Sequence, residues 1–284
     1  MPDAGFDQSA WLNRIGWDRP LSPTLEGLNA LIAAHAYAIA YESLDIMLGR
    51  TPRLDLTSLQ NKMIGRRRGG YCLEQNMLFR AGLRSIGYDV TSLQGRFVRG
   101  LAIDAPRPAI HMLLQVNLPE GPHIADVGFG NLAPTCALRL ELGIEQETPH
   151  ERMRFIDVGG EPTLQAWVGG AWQHVYRVIP YPRYDAEYEV ANWYTATHPN
   201  TPYATNIIAS LPRPDRTRLT MFNELVNLRH ADGHVERRIM GDREDYASAL
   251  RDEFGLELSD SELNAILSVR ARHGVPGTSH PFFG

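Results

Sequence analysis

The sequence predicts an α+β fold with an N-terminal helical bundle, a central antiparallel β-barrel-like domain and a C-terminal α/β lid. Up to about residue 93, apolar residues recur at helical spacing. From about residue 94 to 210, short alternating runs lie between Gly and Pro residues, which is typical of antiparallel strands. Beyond residue 211, strand-like runs precede two amphipathic helical segments. We therefore expect three units, at 1–93, 94–210 and 211–284.

The first unit begins with two helices whose starts are marked by capping residues. Ser22-Pro23-Thr24 precedes a run whose apolar face includes His35, and Asp55 precedes a second run that ends near Gly65. Histidines on an apolar face are more often hydrogen-bonded core residues than ligands. His35 is therefore expected in the core.

A third helix carries the clearest chemical signal in the chain. Arg66-Arg67-Arg68 and a flexible Gly69-Gly70 pair precede Cys72, and apolar residues follow at helical spacing until Gly87. Unpaired N–H groups at a helix start favour an anion, so the Cys72 thiol is expected to ionise more easily than a free thiol. We expect the arginines to serve Cys72 or an anionic ligand. The alternative for a lone cysteine is a small buried hydrophobic residue.

A predicted hairpin supplies a candidate base and a group to orient it, which a reactive cysteine needs. His111 opens one apolar run, Asp126 lies in the next, and a Pro/Gly-rich turn separates the two runs. A turn centred between Leu118 and Pro119 would place His111 directly opposite Asp126, with Cβ atoms roughly 5 Å apart. Taken singly, each of these residues could instead be structural.

Further strands and helices complete the prediction. Strands are expected at Val90–Val98, Thr163–Val168 and Trp172–Val178, with Gly169-Gly170 as a hairpin turn between the last two. Gly128 and Gly130 flank Phe129, so a ligand or the Cys72 helix could approach this backbone closely. The C-terminal unit is expected to contain strands near 218–222, 224–228 and 235–239, followed by helices near 242–253 and 259–270.

Composition excludes several classes of function. The 284 residues are 43% hydrophobic and 21% charged, as in an ordinary globular protein. A formal charge of -5 and a pI of about 6.1 do not indicate the positively charged surface that nucleic-acid binding requires. Two cysteines and no charged-then-apolar leader predict a cytoplasmic protein without disulfides. No apolar run reaches membrane-spanning length, and His230 and His234 flank a turn rather than forming a helical metal pair.

Five motifs together resemble those of the arylamine N-acetyltransferases. In chain order they are Y-E-S-L-D at 41–45, R-R-G-G-Y-C-L-E-Q-N at 67–76, H-M-L-L-Q-V at 111–116, D-V-G-F-G at 126–130 and H-P-N-T-P-Y at 198–203. The order and rough spacing agree over about the first 205 residues. Tyr41 and Tyr203 replace phenylalanine of the family pattern, Ser43 replaces asparagine, Thr201 replaces serine, and Phe97 stands where valine is frequent.

The resemblance implies an activity and a set of site residues. The activity is ping-pong transfer of an acetyl group from acetyl-CoA to an arylamine, hydrazine or arylhydroxylamine. The resemblance implies that Cys72, His111 and Asp126 form a cysteine-protease-like triad that uses no metal. Tyr71, Phe97 and Phe129 are expected to line the amine pocket, and Phe129, Gly130 and Thr201 to contact coenzyme A. We expect a cytoplasmic monomer or homodimer that binds neither nucleic acid nor membrane.

The residues alone leave two other functions open. The same three groups would serve a thiol hydrolase or an amide-exchange enzyme, such as a papain-like protease, glutaminase or transglutaminase-like enzyme. A ligand-binding module without catalysis would instead require an unreactive Cys72. The matching motifs outside the three catalytic positions favour the acetyltransferase.

Overall fold

The computed structural model describes residues 5–199 and 201–273. The α-helices of this part of the chain are α1 Gln8–Arg14, α2 Leu25–Ala38, α3 Leu44–Met47, α4 Leu56–Gln60, α5 Cys72–Ile86, α6 Asp185–Thr197, α7 Arg243–Ser248 and α8 Asp260–His273. Two π-helical turns, Asn61–Gly65 and Ala249–Glu253, continue α4 and α7. None of the helices within these residues is long and apolar enough to cross a bilayer.

The strands form two antiparallel sheets. They are β1 Tyr41–Glu42, β2 Asp89–Phe97, β3 Ala109–Leu118, β4 Gly121–Ala125, β5 Leu138–Arg139, β6 Glu145–Glu147, β7 Arg152–Val158, β8 Glu161–Val168, β9 Ala171–Ile179, β10 Ile208–Pro212, β11 Arg218–Phe222, β12 Leu225–Arg229 and β13 Val235–Ile239. The larger sheet has the order β5-β4-β3-β2-β9-β8-β7-β6, and the smaller has the order β1-β10-β11-β12-β13.

Most predicted elements are confirmed. Thr24 caps α2 by accepting from the Gly27 N–H, and Asp55 caps α4 by accepting from the Ser58 N–H. The predicted central antiparallel sheet and the C-terminal mixture of strands and helices are both present. The prediction missed the helices α1, α3 and α6 and the strands β1, β5, β6, β7 and β10. Helix α6 was not predicted because its large apolar side chains Val190 and Trp193 are exposed, so its sequence has no continuous apolar face.

Helix α5 is the central element of the core. All of its residues from Cys72 to Leu83 are buried, and its contacts include β2 and β3 of the larger sheet. Trp11 of α1 packs so closely over α5 that a Cβ added at Gly82 would lie 2.7 Å from the Trp11 ring. A helix held on several sides has a fixed position, and so does the residue at its first turn.

The predicted division into three units stays a prediction. Strand β1, from the first predicted unit, pairs with β10, with Tyr41 opposite Ser210 and Glu42 opposite Ala209. Backbone hydrogen bonds therefore join the helical part of the chain to the strand that contains the second predicted boundary. The assignment of the C-terminal segment as a lid also stays a prediction.

Candidate active site

The start of α5 is built by two glycines that contact β1. A Cβ added at Gly69 would lie 2.1 Å from the Ala40 carbonyl oxygen, and Gly70 exchanges backbone hydrogen bonds with Ala40 and Glu42. The pair therefore serves close backbone approach, and the expected flexibility of this segment stays a prediction. The Glu74 carboxylate accepts from the Tyr71 N–H at 3.1 Å, which caps the helix that begins at Cys72.

The three arginines before Cys72 do not form a free cationic cluster. Arg66 pairs with Glu262, Arg67 with Glu257, and the fully buried Arg68 with Glu42 at 2.8 Å. Buried guanidinium groups require such partners because an unpaired buried charge is costly. The expectation that these arginines serve Cys72 or an anionic ligand was therefore wrong; their partners lie on β1 and in the C-terminal segment.

The predicted hairpin exists, but its predicted register was wrong. Leu118 pairs with Gly121 across the turn, and Leu114 lies opposite Ala125, so the position opposite Asp126 is Leu113 rather than His111. The turn is centred later than predicted, and this moves the pairing by two residues. Because side chains alternate with a period of two, His111 and Asp126 still share a face and meet diagonally. The His111 Nε2–Asp126 Oδ2 distance is 2.7 Å.

Asp126 is held by hydrogen bonds from two directions. Its Oδ1 accepts from Asn76 Nδ2 of α5 and from the Gly128 N–H, each at 2.9 Å, while Oδ2 faces His111. Asn76 also donates to the Met112 carbonyl and accepts from the Val127 N–H. The carboxylate is fully buried, and these donors compensate for the water it has lost.

Gly128 brings this loop against the start of α5. The sequence predicts that either a ligand or the Cys72 helix approaches this backbone, and the helix does. A Cβ at Gly128 would lie 2.7 Å from the Cys72 Cα, so only glycine fits between the loop and the helix. A β-bulge between Gly95 and Arg96 of β2 occurs beside His111. Bulges near sites re-aim side chains, and here the bulge lies next to the imidazole that faces Asp126.

The protonated form of His111 is stabilised. Burial by itself lowers the pKa of His111, but the charge and hydrogen bond of Asp126, together with Cys72, outweigh burial and raise the pKa to about 10. Since Nε2 donates to Asp126, Nδ1 is the nitrogen that remains for Cys72. Cys72 and His111 both line one cavity, which has a volume of about 360 Å³. A charged imidazole beside a cysteine favours the thiolate.

The cavity includes some of the predicted contact residues and not others. Phe97, Phe129 and Thr201 line it, and the Phe97 and Phe129 rings stack with centroids 5.5 Å apart. Tyr71 is fully buried and hydrogen-bonds to Asn192, and it is not among the lining residues found in the described part of the chain. Gly130 is also absent from that set, with its backbone against the Tyr41 ring. These positions do not support direct ligand contact by Tyr71 or Gly130.

Sequence reasoning missed several polar residues that line the same cavity. Tyr41 and Tyr203 meet there, and Arg99 and Arg107 bring positive charge. Arg99 is 5% exposed, and burial, followed by the charges of Arg229 and Arg218, lowers its pKa to about 10. The signal for the two tyrosines was present as departures from the family motifs, whereas nothing local marked the arginines.

The arrangement is suited to acyl chemistry on a cysteine. It places a thiol at a helix start, an imidazole beside it and a carboxylate behind the imidazole, next to an aromatic wall. Within residues 5–199 and 201–273, no group of three His, Cys, Asp or Glu side chains could hold a metal ion.

Comparison with known proteins gives concordant results. The N-acetyltransferase family model matches residues 24–263. The chain is 38% identical over 261 residues to an arylamine N-acetyltransferase of Mycolicibacterium smegmatis, covering 90% of this chain and 94% of that protein. It is 34% identical over 262 residues to the arylamine N-acetyltransferase / N-hydroxyarylamine O-acetyltransferase of Salmonella typhimurium, covering 90% and 93%.

A solved structure agrees with these sequence matches. The structure of the Mycobacterium marinum arylamine N-acetyltransferase in complex with CoA superposes with a TM-score of 0.88 and 34% identity. The match covers 93% of this chain and 99% of that one. The likeness therefore extends over both chains and is not confined to the site motifs.

Proposed function

The chain belongs to the arylamine N-acetyltransferase family of acyltransferases, and we propose that it transfers an acetyl group from acetyl-CoA to the nitrogen of arylamines, hydrazines or arylhydroxylamines through an acetyl-Cys72 intermediate. The observation that carries the proposal is the placement of Cys72 at the first residue of α5, in one cavity with a His111 that is bonded to Asp126. Cys72 is the nucleophile, His111 the acid and base, and Asp126 the group that orients His111.

In the first half-reaction, the Cys72 thiolate attacks the thioester carbonyl of acetyl-CoA. The carbonyl oxygen becomes an oxyanion, and we assign the Cys72 backbone N–H as one donor to it, because the first N–H groups of a helix have no intrahelical acceptor. Such donors are worth about 2.7 to 4 kcal/mol in comparable sites. The bond to the CoA sulfur then breaks, and His111 gives its proton to the departing CoA thiolate.

The charge of Cys72 explains why His111 can release that proton. Cys72 is one of the groups that raise the pKa of His111, and in the proposed scheme the acylated sulfur carries no charge. The imidazole therefore holds its proton less tightly once the sulfur is acylated. It is then neutral and accepts a proton from the amine that attacks acetyl-Cys72. Collapse of the second tetrahedral intermediate releases the amide and restores the thiolate next to the imidazolium.

The remaining residues of the cavity fit the two substrates. The stacked Phe97 and Phe129 rings offer an apolar wall beside His111, with the His111 and Phe129 ring centroids 5.2 Å apart. An aromatic amine gains contact area and stacking there, whereas water gains nothing. Arg99 and Arg107 give the cavity a positive character that suits a phosphate-bearing donor. Phe129 and Thr201 line the cavity, and we still expect them to contact coenzyme A.

Acetyl transfer is favoured over hydrolysis or amide exchange by the relatives. The family match and the named relatives are acetyltransferases, and nothing among them supports the hydrolytic alternative. The cytoplasmic location, the absence of a metal requirement and a monomeric or dimeric state stay predictions.

A burst experiment tests the proposal. Mixing the enzyme with acetyl-CoA and no amine should release about one equivalent of CoA per site rapidly and then only slowly, because water attacks acetyl-Cys72 poorly. Adding an arylamine should restore continuous release. Intact mass should show one acetyl group, mapped to Cys72.

Cys72→Ala is the control for the burst, and it should give neither the burst nor the adduct. CoA release that is equally fast without amine would identify a hydrolase. Release that needs both substrates together, with no adduct, would contradict the ping-pong scheme even if the overall reaction is acetyl transfer.

A further inference from the structure

Two hydroxyl groups that depart from the family motifs meet beside Cys72. The Tyr41 hydroxyl of β1 donates to the Tyr203 hydroxyl at 3.4 Å, although the residues are 162 positions apart. Both tyrosines line the cavity that contains Cys72. The family pattern has phenylalanine at each position, so two separate departures in sequence form one feature in space.

The pair retains capacity to bind a ligand. Two tyrosine hydroxyls carry two hydrogens, and their mutual bond uses one of them. Among the hydrogen bonds of residues 5–199 and 201–273, this mutual bond is the one that either hydroxyl makes. At 3.4 Å it is also long for a bond between hydroxyls, whose usual separation is about 2.7 to 2.8 Å. One donor therefore remains for another molecule in the cavity.

Both hydroxyls stay protonated at neutral pH. Burial first, and then neighbouring groups that include Cys72, raise the pKa of Tyr41 and of Tyr203 above the usual tyrosine range. The Arg107 charge also acts on Tyr203, in the opposite direction. The pair is thus a neutral donor that lies in the field of a nearby cation.

Other polar atoms of the cavity also lack partners. Asn131 is 8% exposed and Thr195 is 2% exposed, and both line the cavity. Asn131 Oδ1 and Thr195 Oγ1 have no hydrogen-bond partner among the described residues. Buried polar atoms are rarely left unpaired without a reason such as a missing ligand. The cavity therefore has polar binding capacity in addition to its Phe97–Phe129 wall.

We propose that the Tyr41–Tyr203 hydroxyl pair binds a hydrogen-bond-accepting substituent, above all a carboxylate, on the ring of the acceptor amine. The proposal rests on the proposed acetyltransferase function and adds the acceptor class. The family motifs have phenylalanine at positions 41 and 203, so the acetyl transfer that all members share cannot depend on these two hydroxyls. The Tyr41–Tyr203 pair therefore acts on the choice of acceptor. In a ping-pong scheme CoA leaves first, which lets Arg107 serve a carboxylate afterwards.

The test compares acceptors that differ in one substituent. The acceptors are 3- and 4-aminobenzoate, the corresponding methylanilines and 4-aminobenzamide, each with wild type, Tyr41→Phe, Tyr203→Phe and the double variant. Each substitution restores the family residue and removes one oxygen. Tyr184→Phe, at an exposed tyrosine outside the cavity lining, is the control variant.

The measured quantity is the ratio of kcat/KM for an aminobenzoate to kcat/KM for its matching methylaniline. We expect this ratio to fall about ten-fold or more in Tyr203→Phe and Tyr41→Phe, as for loss of a hydrogen bond to a charged group. The double variant should lose little more than either single variant, since the hydroxyls act as one unit. Arg107→Gln should lower the aminobenzoate-to-aminobenzamide ratio, because only the former is anionic.

Three outcomes separate this proposal from the proposed function. Unchanged ratios in enzymes that acetylate arylamines would overturn the role of the hydroxyl pair and leave the acetyltransferase intact. An equal loss for every acceptor, together with a slower acetyl-CoA burst, would assign the pair to the oxyanion instead and also overturn the proposal. Failure of the wild type to acetylate any arylamine would overturn the proposed function itself.

Discussion

Two buried histidines of this molecule have opposite affinities for a proton. His35 is 0% and His111 is 5% exposed, yet the pKa of His35 is lowered to about 4 and that of His111 is raised to about 10. Burial lowers both values and is the largest cause in each case. The difference comes from the partner: Gln75 is neutral, whereas Asp126 is a carboxylate. Burial therefore does not decide what a histidine does; the charge next to it does.

His35 is a neutral, hydrogen-bonded core residue, as the sequence predicted. Trp11 Nε1 donates to His35 Nδ1 at 3.2 Å, so Nε2 carries the proton and donates to Gln75 Oε1 at 2.8 Å. Both ring nitrogens are satisfied by neutral groups. Phe79 packs edge-on to the imidazole, with ring centroids 5.1 Å apart. Among the described residues, the side chains that act on the His35 pKa are the neutral Gln75 and the cationic Arg14, neither of which could compensate a charge on the imidazole.

Helix α5 supports both histidines. Gln75 faces His35, while the next residue, Asn76, holds the Asp126 carboxylate that faces His111. Successive residues of a helix point about 100° apart, so one helix serves two environments on different sides. Changing the partner of each histidine separately tests whether the neighbouring charge decides its protonation.

The largest effect is expected when the Asp126 charge is removed. Asp126→Asn should lower kcat by about 10⁴-fold, the loss found when the aspartate of a comparable triad becomes an amide, because the amide no longer supports the needed tautomer or the imidazolium. The measurement is acetyl transfer to an arylamine, with circular dichroism to establish folding. A folded variant with near-normal turnover would show that Asp126 does not make His111 different from His35.

The next largest effect is a difference in alkylation rate between the two cysteines. Like the two histidines, they have different neighbours. Burial raises the pKa of Cys136 to about 11, so only about 10⁻⁴ of it is thiolate at pH 7. Cys72 lines the cavity beside the imidazolium of His111. Iodoacetamide at pH 6 to 7 should therefore label Cys72 at least about 10²-fold faster than Cys136, followed by peptide mass mapping. Equal labelling rates would remove the argument for an activated nucleophile.

The smallest effect concerns stability near His35. Its pKa is lowered from 6.5 to about 4, so the unfolded chain takes up a proton at a pH where the folded protein does not. The stabilisation is present above pH 6.5 and is lost as the pH falls from 6.5 to 4, amounting to about 3 kcal/mol over that window.

His35→Gln is the matched variant for that prediction, because glutamine does not titrate. Urea unfolding of both proteins between pH 4 and 7 should show a shallower pH dependence in the variant, even though its stability at pH 7 is lower. Parallel curves would show that His35 takes up its proton at the same pH in the folded and unfolded protein, so that its pKa is not lowered by folding. The two buried histidines would then not differ as described.

The sequence predicted much of the site because its signals are local. Cys72 at the start of α5, the capping residues Thr24 and Asp55, and the glycine that lets the loop approach Cys72 all follow from neighbours in the chain. The register of the hairpin was missed because a two-residue shift in the pairing leaves the alternation of side chains unchanged. The pairing of His111 with Asp126 was nevertheless predicted, since that shift keeps both on one face.

What the sequence determined by itself is the set of reactive groups and the elements that carry them, because helix starts and strand alternation depend on a few adjacent residues. Only the tertiary structure decided which charges are paired with distant carboxylates and which side chains line the cavity. It neutralised Arg66 to Arg68 with distant carboxylates, and it brought Arg99, Arg107, Tyr41 and Tyr203 to the cavity that contains Cys72. The physical reason is that electrostatic interactions and hydrogen bonds depend on distance in space, and residues 162 positions apart can lie 3.4 Å from each other.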